Sequence, residues 1–106
     1  MNVITGADRA EIIARCRWIC DSGHEWLQVP LDIARQCDEA DKANNGEGIS
    51  LFSYVRYPMA YLEGDCDARI FMEHWNVTEG EAAGMSARAV MVNGDAPVRQ
   101  YARWGA

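Results

Sequence analysis

The sequence predicts an α+β domain, with a mostly antiparallel sheet of about four or five strands and two or three helices packed on one face. Three observations support this: helical apolar spacing near the N-terminus, aromatic and β-branched runs in the middle, and Asn/Gly-rich connections between them. The chain of 106 residues suits one small domain spanning 1–106. Its hydrophobic content of 49% and charged content of 25% are typical of globular proteins.

The first element is predicted to be a long helix over residues 5–22. Ile12, Cys16 and Ile19 recur at helical spacing, and Thr5 is a suitable N-cap. This assignment would place the whole N-terminal segment against one side of the sheet.

Two shorter helices are predicted further along the chain. Pro30 suits the first position of a helix over 30–41, because its missing N–H is not needed there. A third helix is predicted over 66–75, with Asp65 as its N-cap and Asp67 interacting with the helix dipole in the first turn.

The strands follow from β-branched and aromatic runs bounded by turn residues. They are predicted at residues 24–29, 49–57, 59–63, 86–92 and 98–103. The motif N-G-D-A-P between the last two predicts a C-terminal hairpin. Residues 76–84, which are polar and contain two glycines, are predicted to be a connection.

The net charge of −6 is unevenly distributed. Residues 29–82 hold eleven Asp/Glu against four Lys/Arg, whereas 83–106 hold one Asp against three Arg. Direct nucleic-acid binding is not expected, because phosphate recognition needs clustered positive charge. An acidic surface suits a basic protein or ribonucleoprotein partner, and solubility alone is the other explanation.

The sequence also indicates a compartment. The N-terminus has no basic segment followed by an apolar run, and no apolar stretch approaches the roughly 18 residues that span a membrane. We therefore expect a cytoplasmic protein with reduced cysteines and no membrane contact.

The cysteines raise two chemical hypotheses. Cys16, Cys20 and His24 are spaced by four and would share one face of a continuous helix, where Cys37 or Cys66 could complete a tetrahedral zinc site, but no tight C-x-x-C pair is present. Cys66 and His74 could form a nucleophile and base, although the acidic neighbours of Cys66 disfavour its thiolate. The sequence therefore favours a non-enzyme without metal or cofactor, and leaves a small cysteine-dependent enzyme or metal protein as the alternative.

The predicted binding residues are exposed acids and C-terminal aromatics. Glu63 is the one acid of the stretch A-Y-L-E-G-D-C-D-A-R-I-F (60–71) to which helix capping gives no role. Aromatic side chains near arginines are common anchors of protein interfaces. The set is Glu47, Glu63, Glu79, Glu81, Tyr101 and Trp104.

That stretch also carries a resemblance, together with G-H-E-W-L-Q-V-P, I-S-L-F-S-Y-V and P-V-R-Q-Y-A-R-W. The chain resembles small, mostly uncharacterised proteins of phages and mobile elements that share a Tyr-Leu-Glu-x-Asp-Cys-Asp-Ala turn. The resemblance covers roughly residues 23–75 and 97–104, and Gly64 departs from the Glu expected at its position. It implies a mobile-element context and a small cytosolic fold, and it supplies no catalytic residue.

These observations together predict a non-enzymatic, acidic protein-binding module. In a mobile-element context it would inhibit a host nucleic-acid-targeting defence complex, as anti-CRISPR proteins do, by blocking a basic nucleic-acid site or a moving domain. A self-associating regulatory subunit, with the aromatic tail as a homodimer interface, is a further alternative.

Overall fold

The computed structural model describes residues 6–105, with side chains from residue 8 onward, and contains four α-helices and six strands within that range. The predicted cap Thr5 lies outside the described residues. The helices are α1 (Gly6–Ala14), α2 (Leu31–Ala43), α3 (Asp67–His74) and α4 (Glu79–Ala87). The strands are β1 (Arg17–Cys20), β2 (Glu25–Pro30), β3 (Tyr54–Arg56), β4 (Met59–Glu63), β5 (Val90–Met91) and β6 (Ala102–Arg103).

The strands form one mixed sheet in the order β5-β1-β2-β4-β3-β6. All neighbouring pairs are antiparallel except β1 and β5, which run parallel. The α+β class is thus confirmed, while the numbers of strands and helices both exceed the prediction.

Each strand alternates between two faces of the sheet. On the first face, Leu27 of β2 and Leu62 of β4 join a large core to which all four helices contribute, including Phe71 of α3 and Met85 of α4. The second face carries a smaller core around Trp26 and Tyr61 of the central strands, covered by Ala96, Val98 and Tyr101 of the C-terminal segment. The helices therefore cover one face, and a short irregular segment covers the other.

The predicted first helix was wrong beyond Ala14. The chain turns at Arg15 and continues as β1, whose sequence Arg-Trp-Ile-Cys pairs antiparallel with β2. Aromatic and β-branched side chains fit a half-buried strand well. Here cross-strand pairing overrides the helical spacing, so Cys16, Cys20 and His24 do not share a helix face.

The predicted connection over 76–84 was also wrong, because α4 begins within it. Thr78 accepts a hydrogen bond from the Glu81 backbone N–H, and the Glu81 side chain accepts one from the Thr78 N–H. This reciprocal capping box satisfies two free N–H groups at the helix start. It explains why a segment with two glycines remains helical.

Three predicted strands, 49–57, 86–92 and 98–103, and the C-terminal hairpin need correction. Residues 49–53 form turns, so β3 covers only the end of the predicted run 49–57. The last strands, β5 and β6, are two residues each and lie at opposite edges of the sheet. The 3-10 helix Pro97–Gln100 carries the chain across the second face, which excludes a hairpin.

Candidate functional site

A groove of about 480 Å³ opens on the second face, at the end of the sheet where β4 leads into α3. Three parts of the chain line it. His24 and Trp26 lie at or just before the start of β2, Phe52 and Tyr54 lie at or just before the start of β3, and Glu63 and Cys66 lie between the end of β4 and the start of α3. Three chain segments that are distant in sequence therefore meet at one opening.

The first support of the groove is Asp67, whose side chain is buried at the start of α3. Its Oδ2 accepts hydrogen bonds from the Ser50 backbone N–H at 3.0 Å, the Ser50 hydroxyl at 2.6 Å and the Ser53 hydroxyl at 2.6 Å. We call Asp67, Ser50 and Ser53 the Asp67 cluster. The predicted first-turn position of Asp67 is confirmed, but its main contacts are to a loop seventeen residues away.

The loop over residues 50–53, here the rim loop, is fixed on several sides. The buried Ser53 hydroxyl accepts the Glu63 N–H at 2.9 Å, and the Ser53 carbonyl accepts the Trp104 N–H at 2.9 Å. Arg103 Nη1 donates to the Leu51 carbonyl at 3.1 Å. The backbone is thus held in place although the side chains of Leu51 and Phe52 are 59% and 68% exposed.

Glu63 organises the turn that closes the groove. Its two carboxylate oxygens accept the backbone N–H groups of Asp65 and Cys66, each at 3.0 Å. The prediction that Asp65 caps α3 was wrong, because Cys66 is the N-cap residue and makes no side-chain capping bond. Glu63 accepts the N–H groups of Asp65 and Cys66 instead, because its side chain reaches forward past Gly64.

The second support of the groove is Asp21, whose side chain has no exposed surface. It accepts hydrogen bonds from the backbone N–H groups of Gly23, His24 and Ala96 and from the Arg99 guanidinium, with Nε 2.7 Å from Oδ2. We call these residues the Asp21 cluster. The bond from Arg99, followed by the Ala96 N–H, holds the pKa of Asp21 well below its usual range.

Arginines lie over aromatic rings across this face. Arg99 lies 5.4 Å from the ring centre of Trp26, and Arg103 lies 5.3 Å from that of Tyr54. Such cation–π contacts stabilise partly exposed pairs by about 0.5–1 kcal/mol. They also fix two guanidinium groups at the groove wall.

The predicted aromatic pair does not form one patch. Tyr101 is half-buried on the second face, 5.2 Å from the Tyr61 ring centre and beneath the Arg56 guanidinium. Trp104 is half-buried against the large core of the first face. Neither side chain lines the groove.

The four predicted glutamates are also spread over the molecule. Glu47 is exposed in the α2–β3 loop, and Glu79 is exposed in the first turn of α4. Glu81 caps α4 and forms an ion pair with Arg9, which lowers the pKa of Glu81 to about 2. Of the four, only Glu63 lines the groove.

The structure does not bring Cys66 and His74 together. They lie at opposite ends of α3, which at 1.5 Å per residue places them roughly 12 Å apart along the helix axis. His24 lines the groove with Cys66 instead. The sequence does not show that His24 and Cys66 line one groove, because this depends on the β2–β4 register, which places Trp26 opposite Glu63.

The remaining thiols differ from Cys66 in environment. Burial raises the pKa of Cys16 and of Cys37 to about 12, so both remain protonated. Burial also raises the pKa of Cys20. Within residues 6–105 there is no group of three or more His, Cys, Asp or Glu side chains placed to hold a metal ion.

Comparison with family models, with curated proteins and with solved structures found no match to this chain. No helix in the described part of the chain is long and apolar enough to cross a membrane.

Proposed function

We propose that the protein is a non-enzymatic binding module that holds a partner protein through the rim loop and the groove beside it. The observation that carries this proposal is the exposure of Leu51 and Phe52 on a backbone fixed by the Asp67 cluster. Exposed neighbouring apolar side chains mark interaction sites, and aromatic residues dominate binding energy at interfaces.

The rigidity of the rim loop strengthens this proposal. A flexible loop loses conformational entropy when it binds, at about 0.5–1.5 kcal/mol for each immobilised side chain. The bonds from Arg103 to the Leu51 carbonyl and from the Phe52 N–H to Ser50 Oγ restrict the backbone before any partner arrives. Phe52 is therefore the proposed anchor, and the charged groove side chains form the polar surround.

Charge favours a basic partner. The four α-helices hold ten Asp/Glu and four Lys/Arg, a difference of −6 that equals the net charge of the whole chain. The residues outside these helices hold six of each sign. A field of this sign accelerates encounter with a basic surface and weakens with added salt. Glu47 and Glu79 are the proposed acidic contributors on the exposed surface, and Glu63 is the proposed contributor at the groove.

We propose, more specifically, that the partner is a cytoplasmic nucleic-acid-targeting complex of a host. The resemblance to phage and mobile-element proteins supplies the context, and the net charge of −6 favours approach to a basic surface that otherwise binds nucleic acid. The protein would act as an inhibitor by occupying that surface, in the manner of anti-CRISPR proteins.

The test compares Phe52→Ala with Tyr57→Ala in capture from host lysate at low and high salt. Tyr57 is 85% exposed on the β3–β4 turn and does not line the groove, so it is the matched control. We expect Phe52→Ala to weaken capture of any specific partner by at least about tenfold, which corresponds to about 1.4 kcal/mol. Tyr57→Ala should capture the same partner normally.

Equal capture by both variants would remove Phe52 as the anchor. Denaturant unfolding must show both variants folded, with midpoints close to that of the unaltered protein, since neither side chain is buried. Capture that is insensitive to salt would separately remove the electrostatic part of the proposal.

A second candidate function follows from the shared position of Cys66 and His24 in the groove. The Cys66 thiol is exposed, and an imidazole that reaches it could activate it as a nucleophile. A rate of alkylation of Cys66 that falls when His24 is changed to Ala would favour this alternative, and an unchanged rate would remove it.

A further inference from the structure

A second depression lies on the same face, at the opposite end of the sheet from the groove. It measures about 440 Å³ and forms where α1 ends and β1 begins. Its lining is Ala14, Arg15, Arg17, Gln28, Met59 and Arg88. We call it the arginine depression, because three of these six residues are arginines and none is acidic.

Two of the three guanidinium groups are held in fixed orientations. Arg88 donates from Nη2 to the Ile13 and Cys16 carbonyls, each at 2.9 Å, and thereby satisfies oxygens at the end of α1. Arg17 donates from Nε to Gln28 Oε1 at 2.9 Å, its partner on the neighbouring strand. The bond to Gln28 uses only Nε of Arg17, so it leaves the two Nη groups of Arg17 available to a ligand.

The positive charge of the depression is not neutralised within the described chain. The ion pairs of residues 8–105 use Arg9, Lys42, Arg69 and Arg99. Arg15, Arg17 and Arg88 take part in none of them. Three arginines line the depression and no acidic side chain does, so the local charge favours a bound anion.

We propose that the arginine depression binds a compact phosphate-bearing small molecule with two or more negative charges, of the pyrophosphate or nucleoside-polyphosphate class. The planar guanidinium offers paired N–H donors that match two phosphate oxygens, and Arg17 keeps such a pair free. A small ligand suits the site better than a long polyanion, because the net charge of −6 repels an extended phosphate chain. This site is separate from the groove, so the proposal does not depend on the proposed function.

The experiment is isothermal titration of the full chain with sodium pyrophosphate at low salt. We expect saturable binding that Arg17→Gln weakens by at least about tenfold, because one charged bidentate contact is lost. The control is Arg35→Gln on the exposed surface of α2, which changes the net charge equally and should leave the affinity within about twofold.

A second variant tests the orientation of Arg88 without changing any charge. A Cβ at Gly84 would lie 3.0 Å from Arg88 Nη1, so Gly84→Ala should shift the guanidinium by a few tenths of an ångström and weaken pyrophosphate binding by less than Arg17→Gln does. Unfolding curves identify any variant that fails to fold. Should Gly84→Ala or Arg17→Gln not fold, Arg15→Gln replaces it in the same titration.

Three outcomes would overturn the proposal. The first is that titration of the unaltered protein with pyrophosphate gives no saturable binding heat. The second is that Arg17→Gln and Arg35→Gln weaken pyrophosphate binding equally. The third is tighter binding of a short oligothymidylate than of pyrophosphate, which would identify nucleic acid as the ligand class. Inorganic phosphate should bind more weakly than pyrophosphate because it carries less charge.

Discussion

Two buried carboxylates support the groove, and they do so by different chemistry. Asp67 fixes the rim loop through a backbone N–H and two serine hydroxyls, all of them neutral donors. Asp21 fixes the opposite side through three backbone N–H groups and the guanidinium of Arg99. The Asp67 cluster thus depends on hydrogen bonds from neutral donors alone, and the Asp21 cluster depends in addition on a charge pair.

A small sheet can therefore present a rigid opening between loops that are far apart in sequence. Each cluster ties a segment to the sheet independently, because the two carboxylates share no donor. Buried unpaired hydrogen-bonding groups are costly, whereas a partly exposed arginine regains solvation when its partner is removed. The Asp67 cluster should therefore contribute more to stability, and the Asp21 cluster more to the response to acid.

The largest expected effect is that of Asp67→Ala. This change leaves the Ser50 N–H and the hydroxyls of Ser50 and Ser53 without their acceptor, and Ser53 is fully buried. We expect the free energy of unfolding to fall by about 3 kcal/mol, measured by urea denaturation followed through tryptophan fluorescence.

The matched control for Asp67→Ala is Asp65→Ala, two residues earlier in the same acidic stretch. Asp65 is exposed, so its replacement should change the free energy of unfolding by less than about 0.5 kcal/mol. Equal losses in the two variants would mean that the acidic stretch acts through overall charge rather than through the Asp67 cluster.

The next effect is a change in acid stability on Asp21→Asn. Because the pKa of Asp21 is lowered in the fold, its stabilising contribution is present above its ordinary pKa and is lost as the pH falls. The variant should be less stable than the unaltered protein near neutral pH, by less than Asp67→Ala. It should also lose less of its remaining stability between about pH 5 and pH 2.

The control for this acid response is Asp95→Asn. Asp95 lies 3.7 Å from the same Arg99 Nε but is 81% exposed, so solvent screens the pair. Its replacement should leave the pH dependence of the free energy of unfolding unchanged. A flattened acid response in both variants would argue that Arg99, and not Asp21, determines it.

A smaller effect is expected at the turn that joins the two sides. A Cβ at Gly64 would lie 2.7 Å from Glu25 Cγ and 3.1 Å from the Glu25 carbonyl oxygen. Gly64→Ala should therefore lower the free energy of unfolding by about 1–2 kcal/mol, as overpacking does. Urea denaturation measures it.

Gly80→Ala is the control for Gly64→Ala. Gly80 lies within α4, and a Cβ there would meet only Thr78 Oγ1 at 4.0 Å. Alanine is favoured over glycine inside a helix by roughly 0.5–1 kcal/mol, so this variant should be more stable. A loss at both positions would contradict the steric explanation for Gly64.

The sequence predicted the elements whose patterns are local. Strands β2 and β4 and helix α2 lie within about two residues of their predicted positions, because short apolar and aromatic runs bounded by turns and the helix start at Pro30 are strong signals. It failed at β1, where helical spacing coincided with strand-forming residues, and at α4, where two glycines obscured the capping box over Thr78 and Glu81.

The site was less predictable, because it depends on long-range contacts. Asp67 was recognised at its helix position, but its partners Ser50 and Ser53 lie seventeen and fourteen residues away. The Asp21–Arg99 pair spans 78 residues. Long-range hydrogen bonds between single side chains leave no periodic pattern in the sequence. Only the folded sheet shows which side chains are bonded to each other.

Site-resolved amide hydrogen exchange in Asp21→Ala tests most directly whether the two sides of the groove are fixed independently. We expect faster exchange at the donors to Asp21, the amides of Gly23, His24 and Ala96. The amides of Ser50, Phe52 and Glu63, which the Asp67 cluster holds, should keep their protection. Faster exchange at both sets together would contradict the account, because it would show that the groove opens as one unit.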